Sequence, residues 1–283
     1  MDEVPAAGKV PEGMEFLHLV WGQEQECERK SDEQLPKLGT KASALLPNIG
    51  TALSFLDRFS SCFWECAGGD HVLEYLGGRA GNSARASLRL LRSGLYDEGL
   101  VHIRSIGETA NLLYLFKLDP AKLPEWKTLD DKKRRQKYSA VNVRIAIEKL
   151  KKKPPIDQDR YDLLCGLVTH VTPKTKPGGS YNPFGLPMMG GNFQEVGLVA
   201  GLNELGASVS LVTALLASLS SIQREHRQAM KNAADNLAES LGGLSIMELE
   251  DFMEENRQLP GFDAAVEALR QLQSQRKKLP DNE

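Results

Sequence analysis

Cysteine is scarce in this chain. Only Cys27, Cys62, Cys66 and Cys165 occur in 283 residues. A disulfide scaffold is therefore excluded, and a reducing, cytoplasmic setting is expected. Cys62 and Cys66 stand four apart, on one face of an expected helix, with His71 following. A zinc site usually takes four ligands in tighter pairs, so buried or idle thiols are expected and no metal site is predicted. Aromatics make up only 6% of residues. No glycine-rich phosphate loop, nucleophile elbow or metal motif is present, so no cofactor is expected and no small-molecule substrate is named. Strand-like alternation and fixed-period repeats are also missing. The first residues, MDEVPAAGKVPEGME, are acidic and lack an apolar stretch, so no secretory signal is expected. The net charge of −3 argues against a nucleic-acid surface covering the whole protein, while leaving room for a local basic patch.

Helix-forming pattern is abundant. Apolar residues are 41% and charged residues 26%, as in an ordinary globular protein, and the length suits one large domain or two small ones. Residues 1–40 carry nine acids against four bases, and only MEFLHLVW (14–21) reads as able to pack. They are expected to be a mobile or loosely docked arm. Residues 41–230 form the expected helical bundle core, and 231–283 a C-terminal helical extension. Leu45, Ile49, Leu53, Leu56, Phe59 and Phe63 recur at helical spacing, predicting one amphipathic helix over 41–66 with Pro47 near its start. AGGD and LGGRAGNS (67–70 and 76–83) read as connectors. One long helix is predicted over 85–118, ended by Pro120 and Pro124. Further helices are expected at 129–151, 157–170, 194–230, 245–257 and 262–278, with a Gly/Pro loop over 173–193. The segment 205–222 is uncharged for eighteen residues, near the lower limit for a membrane span. Asn203 and Glu204 interrupt the apolar run, and Ser, Ala and Gly dominate it, so a buried core helix is expected and no membrane partner. Gly197, Gly201 and Ala207 would admit a close helix, in a bundle interior or a dimer seam.

The stretch LYDEGLVHIRSIGETANLLYLF (95–116) carries the first candidate site. At ~100° per residue its apolar side chains surround the axis, so it is expected to be buried on nearly all sides. Asn111, Arg104 and Glu108 share one stripe about 60° wide, with Asp97 on the same side. Arg104 and Glu108 stand four apart and can pair. Two roles stay open: an internal ion pair that fixes packing, or a cleft wall whose guanidinium meets phosphate and whose carboxylate orients a base or ribose hydroxyl. His102, with Glu98 one turn before it, reads as a surface or interface pair.

His170 closes a predicted helix at the mouth of the Gly/Pro loop. It is either a C-terminal cap or a titrating group. Lys174, Lys176 and Tyr181 follow it, and loops of this length often serve as lids or binding loops. A cationic site with one titrating group suits a phosphodiester or nucleotide. The segment 122–160 holds thirteen Lys/Arg against six acids. That is either a solvated helix face or a track for a nucleic-acid backbone. Trp126, Tyr138 and Tyr161 interleave it too sparsely to predict base stacking.

The helix SGLYDEGLVHIRSIGETANLLYLF, with Arg104–x3–Glu108–x2–Asn111, followed by a helix that ends THVTP, resembles an uncharacterised bacterial branch of the HEPN-like (higher-eukaryote and prokaryote nucleotide-binding) helical proteins. The likeness covers about residues 85–225. It implies an all-α bundle of four or five helices, often dimeric. Many such proteins are metal-independent ribonucleases of toxin–antitoxin, phage-defence or CRISPR systems, and others are silent binding modules. In the ribonucleases an Arg stands a few residues before the His. Here the nearest upstream Arg is Arg160, ten residues away, and Arg104 is the candidate to supply the cation from a neighbouring helix. The resulting expectation is a protein that binds RNA or nucleotide as a homodimer, with His170, Arg104 and Glu108 as candidate catalytic residues. Asn111, Lys174, Lys176 and Tyr181 are the candidate binding residues. The alternative is a non-catalytic module for dimerisation or partner binding.

Overall fold

A computed structural model describes residues 12–37, 40–64, 70–173, 175–179, 181 and 189–242. Among the described residues there are ten α-helices and no strand, so the chain is an all-α bundle. Its axis is the apolar helix α9 (Glu195–Leu219). Helices α2 (Thr40–Ser60), α3 (Val72–Arg92), α4 (Tyr96–Leu118) and α10 (Arg224–Glu239) pack around it. Helix α9 is long and apolar enough to cross a membrane by composition, yet most of it is buried by these neighbours. Its small residues serve the bundle interior. A methyl added at Gly197 would come within 2.8 Å of the Tyr96 ring, and one at Gly201 would run into Leu91.

Several expected boundaries move. The helix predicted over 85–118 is two helices, because Gly94 turns the chain at φ +78° between α3 and α4. Its carbonyl accepts from Asn192 N–H at 3.4 Å, and any Cβ there would meet Asn192. Helix α3 in turn starts earlier than expected, and the supposed connector 76–83 lies inside it. Gly77, Ala80, Ala84, Ser87 and Leu91 form its buried seam. Glycine disfavours helix interiors, but here closeness decides: a Cβ at Gly77 would already stand 3.0 Å from Phe59 and 3.1 Å from Leu216. Helix α2 ends at Ser60, so Phe63, expected on the apolar stripe, is exposed and Trp64 is buried instead.

The basic segment breaks into α5 (Lys122–Thr128), α6 (Asp131–Lys137) and α7 (Ala140–Lys149). Side-chain caps fix the starts of the last two: Asp130 accepts from Lys133 N–H at 2.8 Å and Ser139 from Asn142 N–H at 3.4 Å. Helix α8 (Gln158–Leu164), capped by Asp157, runs into one wide π-type turn over Cys165–Thr169 that stops at His170. The helix expected over 194–230 is divided into α9 and α10 at Ser220–Gln223. The helices expected at 245–257 and 262–278 lie outside the described residues.

Within the N-terminal arm, residues Glu15–Gln34 form helix α1. The end expected to pack is the end that does not: Phe16, Leu17, Leu19 and Trp21 are exposed, while Cys27, Ser31 and Leu35 are buried. Polar contacts with the α3–α4 corner explain this. Ser31 Oγ donates to the Arg92 carbonyl at 3.0 Å, Ser93 Oγ donates to Glu28 at 2.9 Å, and Arg92 pairs with Asp32 at 2.6 Å.

Candidate functional site

Helix α4 touches α3, α9, α7, α8 and the wide turn before His170, so its polar stripe lies where several elements meet. Arg104 and Glu108 do pair, at 2.9 Å. The same Arg104 nitrogen donates to the Tyr161 hydroxyl at 2.8 Å, and its guanidinium lies over the Tyr161 ring, 4.9 Å from the centroid. Burial works against the Arg104 charge, but the Tyr161 hydroxyl and the Glu108 carboxylate more than offset it and hold its pKa above the ordinary value. From α7, Arg144 covers the same ring at 4.0 Å. Arg144 is 2% exposed and donates to Gln158 at 2.7 Å; it has no carboxylate partner, and its second terminal nitrogen is buried without a hydrogen bond. Two guanidiniums thus lie over one phenol ring, and one of them, Arg104, also holds the Glu108 carboxylate. Sequence reading missed Tyr161 and Arg144 as members of this group, because their partners come from three different helices.

Asn111 is engaged elsewhere. It donates to the Ile156 carbonyl at 2.8 Å and accepts from the Ile156 N–H at 2.9 Å, a two-bond clasp on the segment between α7 and α8. Gly107, one turn before, makes the notch that Ile156 fills; a Cβ there would stand 2.7 Å from Ile156 Cγ1.

His170 is exposed, and its backbone N–H closes the wide turn on the Cys165 carbonyl at 3.0 Å. Among the described residues no hydrogen bond or ion pair joins its imidazole to Arg104 or Glu108. Lys176 is exposed, and Lys174 lies outside the described residues. Arg160, the nearest arginine upstream of His170, pairs instead with Glu204 on α9, both side chains being largely buried. The structure therefore joins Arg104 with Glu108, and among the described residues no hydrogen bond or ion pair links His170 or Lys176 to them.

Tyr181 is buried, 2% exposed, and meets the edge of Tyr96 at 5.3 Å between centroids. It belongs to a second polar group, with Asp97, Gly178 and Gln194, which sequence reading signalled through Tyr181 itself and the position of Asp97. Asp97 accepts from Gly178 N–H at 2.7 Å, Gln194 donates to the Gly178 carbonyl at 3.3 Å, and Gln194 N–H donates to the Tyr96 hydroxyl at 2.8 Å. One oxygen each of Asp97, Gln194 and Tyr181 is buried without a partner. Burial pushes Asp97 up to about 6 despite the Gly178 hydrogen bond, and it drives the Tyr181 hydroxyl well up. A cavity of about 450 Å³ opens beside Tyr96, Gly178, Asn192 and Gln194.

The third assembly is the basic surface of α6, α7 and the turn after them. Lys132, Arg135, Lys149, Lys151 and Lys152 are exposed, with no ion pair or side-chain hydrogen bond among the described residues. Four of the nearby acids are occupied, Glu125 by Lys122 and Lys137, Asp130 by Lys133, Asp131 by Arg134 and Asp157 by Lys153, while Glu148 and Asp159 are exposed and make no ion pair among the described residues. Comparison with family models, characterised proteins and solved structures gives no match to this chain.

Proposed function

We propose that this protein binds RNA or nucleotide along the basic surface of α6 and α7, as a HEPN-like cytoplasmic helical protein that acts by binding rather than by cleavage. The observation that carries this reading is the set of five exposed cations (Lys132, Arg135, Lys149, Lys151 and Lys152) that make no ion pair among the described residues, in a segment whose bases outnumber its acids thirteen to six. Like charges held together repel, and a polyanion relieves that repulsion while releasing its own counterions. Binding is favoured over cleavage because metal-free phosphodiester cleavage needs a general base beside a cation free to stabilise the developing charge. Arg104 is held by Glu108 and Tyr161, and Arg160 by Glu204.

The test is fluorescence anisotropy with a labelled mixed RNA pool and no divalent metal. Five single-strand phosphate contacts predict a slope of log affinity on log salt of about −3.5. Replacing the five cations (Lys132→Gln, Arg135→Gln, Lys149→Gln, Lys151→Asn, Lys152→Gln) should abolish binding, while His170→Ala and Arg104→Ala should leave it intact. RNA cleavage lost in both of these last two variants would make the protein a ribonuclease with a rearranged site. Absence of binding would turn the reading to a dimerisation or partner-binding module. One observation favours that second reading: Phe16, Leu17, Leu19 and Trp21 lie exposed on a single helix, where a second copy or another protein could cover them. A sedimentation experiment giving a monomer would remove it.

A further inference from the structure

We propose that Cys62, His71 and Glu74 form a three-ligand site for a divalent transition metal, of which zinc is the best fit, at the junction of α2 and α3. The site is built by two helix ends. Helix α2 stops in a two-bond C-terminal motif: Phe63 N–H reaches the Arg58 carbonyl at 3.0 Å and Cys62 N–H reaches the Phe59 carbonyl at 3.4 Å. In that motif the residue at the position of Cys62 takes a left-handed conformation and is usually glycine. Here it is cysteine, at φ +54°. His71 is the residue before the first turn of α3, and Glu74 lies three further on, inside that turn.

The thiol and the His71 Nδ1 are 3.2 Å apart, and the donor atoms of all three residues lie within 4.8 Å of one another. Tetrahedral zinc with Zn–S of ~2.3 Å and Zn–N of ~2.0 Å separates sulfur from nitrogen by about 3.5 Å. The three donors therefore need only small adjustments to share one ion. Glu74 supplies the independent sign. It is 8% exposed, yet its carboxylate has no hydrogen bond or ion pair among the described residues. An enclosed carboxylate that makes no ion pair is free to serve as a ligand to a cation placed beside it.

A thiol–imidazole–carboxylate catalytic relay fits less well. In a relay the ring stands between its two partners, which puts sulfur and carboxylate about 7 Å apart. Here they are within 4.8 Å, converging on a point. Soft, borderline and hard donors together suit zinc or cobalt better than calcium or magnesium. Among the described residues three side chains offer ligands, and Glu74 also lines an open groove with Tyr75, Asn82 and His102. Cysteine spacing alone placed Cys62 inside a helix beside Cys66, whereas α2 ends at Ser60. The actual partners come from the next helix, and Cys66 lies outside the described residues.

The experiment is titration of the chelator-treated full chain with Co²⁺, followed by competition with Zn²⁺. Expected are one ion per chain, a sulfur-to-cobalt charge-transfer band with four-coordinate visible bands, and displacement by Zn²⁺. Cys62→Gly suits the left-handed position, keeps the fold and should remove the charge-transfer band. His71→Ala and Glu74→Gln should each weaken Co²⁺ binding by at least about tenfold. Circular dichroism monitors helix content throughout. No charge-transfer band in the wild type, a band that survives Cys62→Gly, or affinity unchanged in both other variants would overturn the site.

Discussion

Asp97 is the most revealing residue to change. Its carboxyl holds the loop through Gly178 N–H, one of its oxygens is buried with no partner, and burial raises its pKa from 3.8 to about 6. A raised carboxyl pKa means that the folded chain keeps a proton which the unfolded chain has already released. Between those two values the folded state binds more protons, so stability falls as pH rises, and above about 6 the loss is complete. At about 1.4 kcal/mol per pH unit, the ionised Asp97 costs the fold about 3 kcal/mol near neutral pH. Asp97→Asn keeps the shape and the acceptor for Gly178, and its amide presents the same unpartnered donor as the protonated acid. The gain is therefore that of neutralisation. Urea unfolding of both proteins across the acid-to-neutral range, with the m-value checked for constancy, measures it. The variant should be more stable by about 3 kcal/mol near pH ~7 and equal to the wild type near pH ~4. Equal stability at every pH, or an advantage that grows toward acid, would refute the reasoning.

Three further changes test the clasps that hold the bundle. Asn111→Ala leaves the buried N–H and carbonyl of Ile156 without partners, at about 1–3 kcal/mol each, and the urea midpoint should fall accordingly. Gly107→Ala forces a methyl onto Ile156 Cγ1 and should cost about 1–3 kcal/mol, partly recovered when Ile156→Val is added. Glu204→Gln strands the Arg160 guanidinium at a largely buried site, costing about 3 kcal/mol; the double change Glu204→Leu with Arg160→Met should cost less than that single change.

Helical class, the burial of α4 and α9, and the Arg104–Glu108 pair could be read from the sequence, because each depends on spacing along one helix. The rest depends on contacts between elements. Gly77 and Gly94 look alike as letters. One lies in a helix against Phe59 and Leu216, and the other turns the chain at positive φ; only the neighbours distinguish them. Asn111 fell on the predicted stripe, but its partner is the backbone of Ile156, 45 residues away, which no periodicity records. Arg144 and Arg160 read as members of a charged run, and each points inward from it. The N-terminal arm was misread for the opposite reason. Its apolar residues looked like the packing side, while its docking relies on Ser31, Glu28 and Asp32 meeting the end of α3.

Four polar residues of α4 and α9 share one use. Asn111 clasps Ile156, Asp97 holds Gly178, Asn203 exchanges two hydrogen bonds with Gly242, and Glu204 pairs with Arg160. Each fastens a segment or a short helix to an otherwise apolar core. Two residues of the predicted stripe, Asn111 and Asp97, thus have a use in the fold, and Arg104 and Glu108 pair with each other beside Tyr161. No such use is seen for Lys132, Arg135, Lys149, Lys151 and Lys152, which make no ion pair among the described residues. Lys151 even occupies a left-handed position, φ +57°, where glycine or asparagine would fit with less strain. Exposed cations with no use within the described fold are where binding to an outside anion best explains the sequence, and this is why the basic surface, rather than the Arg104 stripe, carries the proposed function.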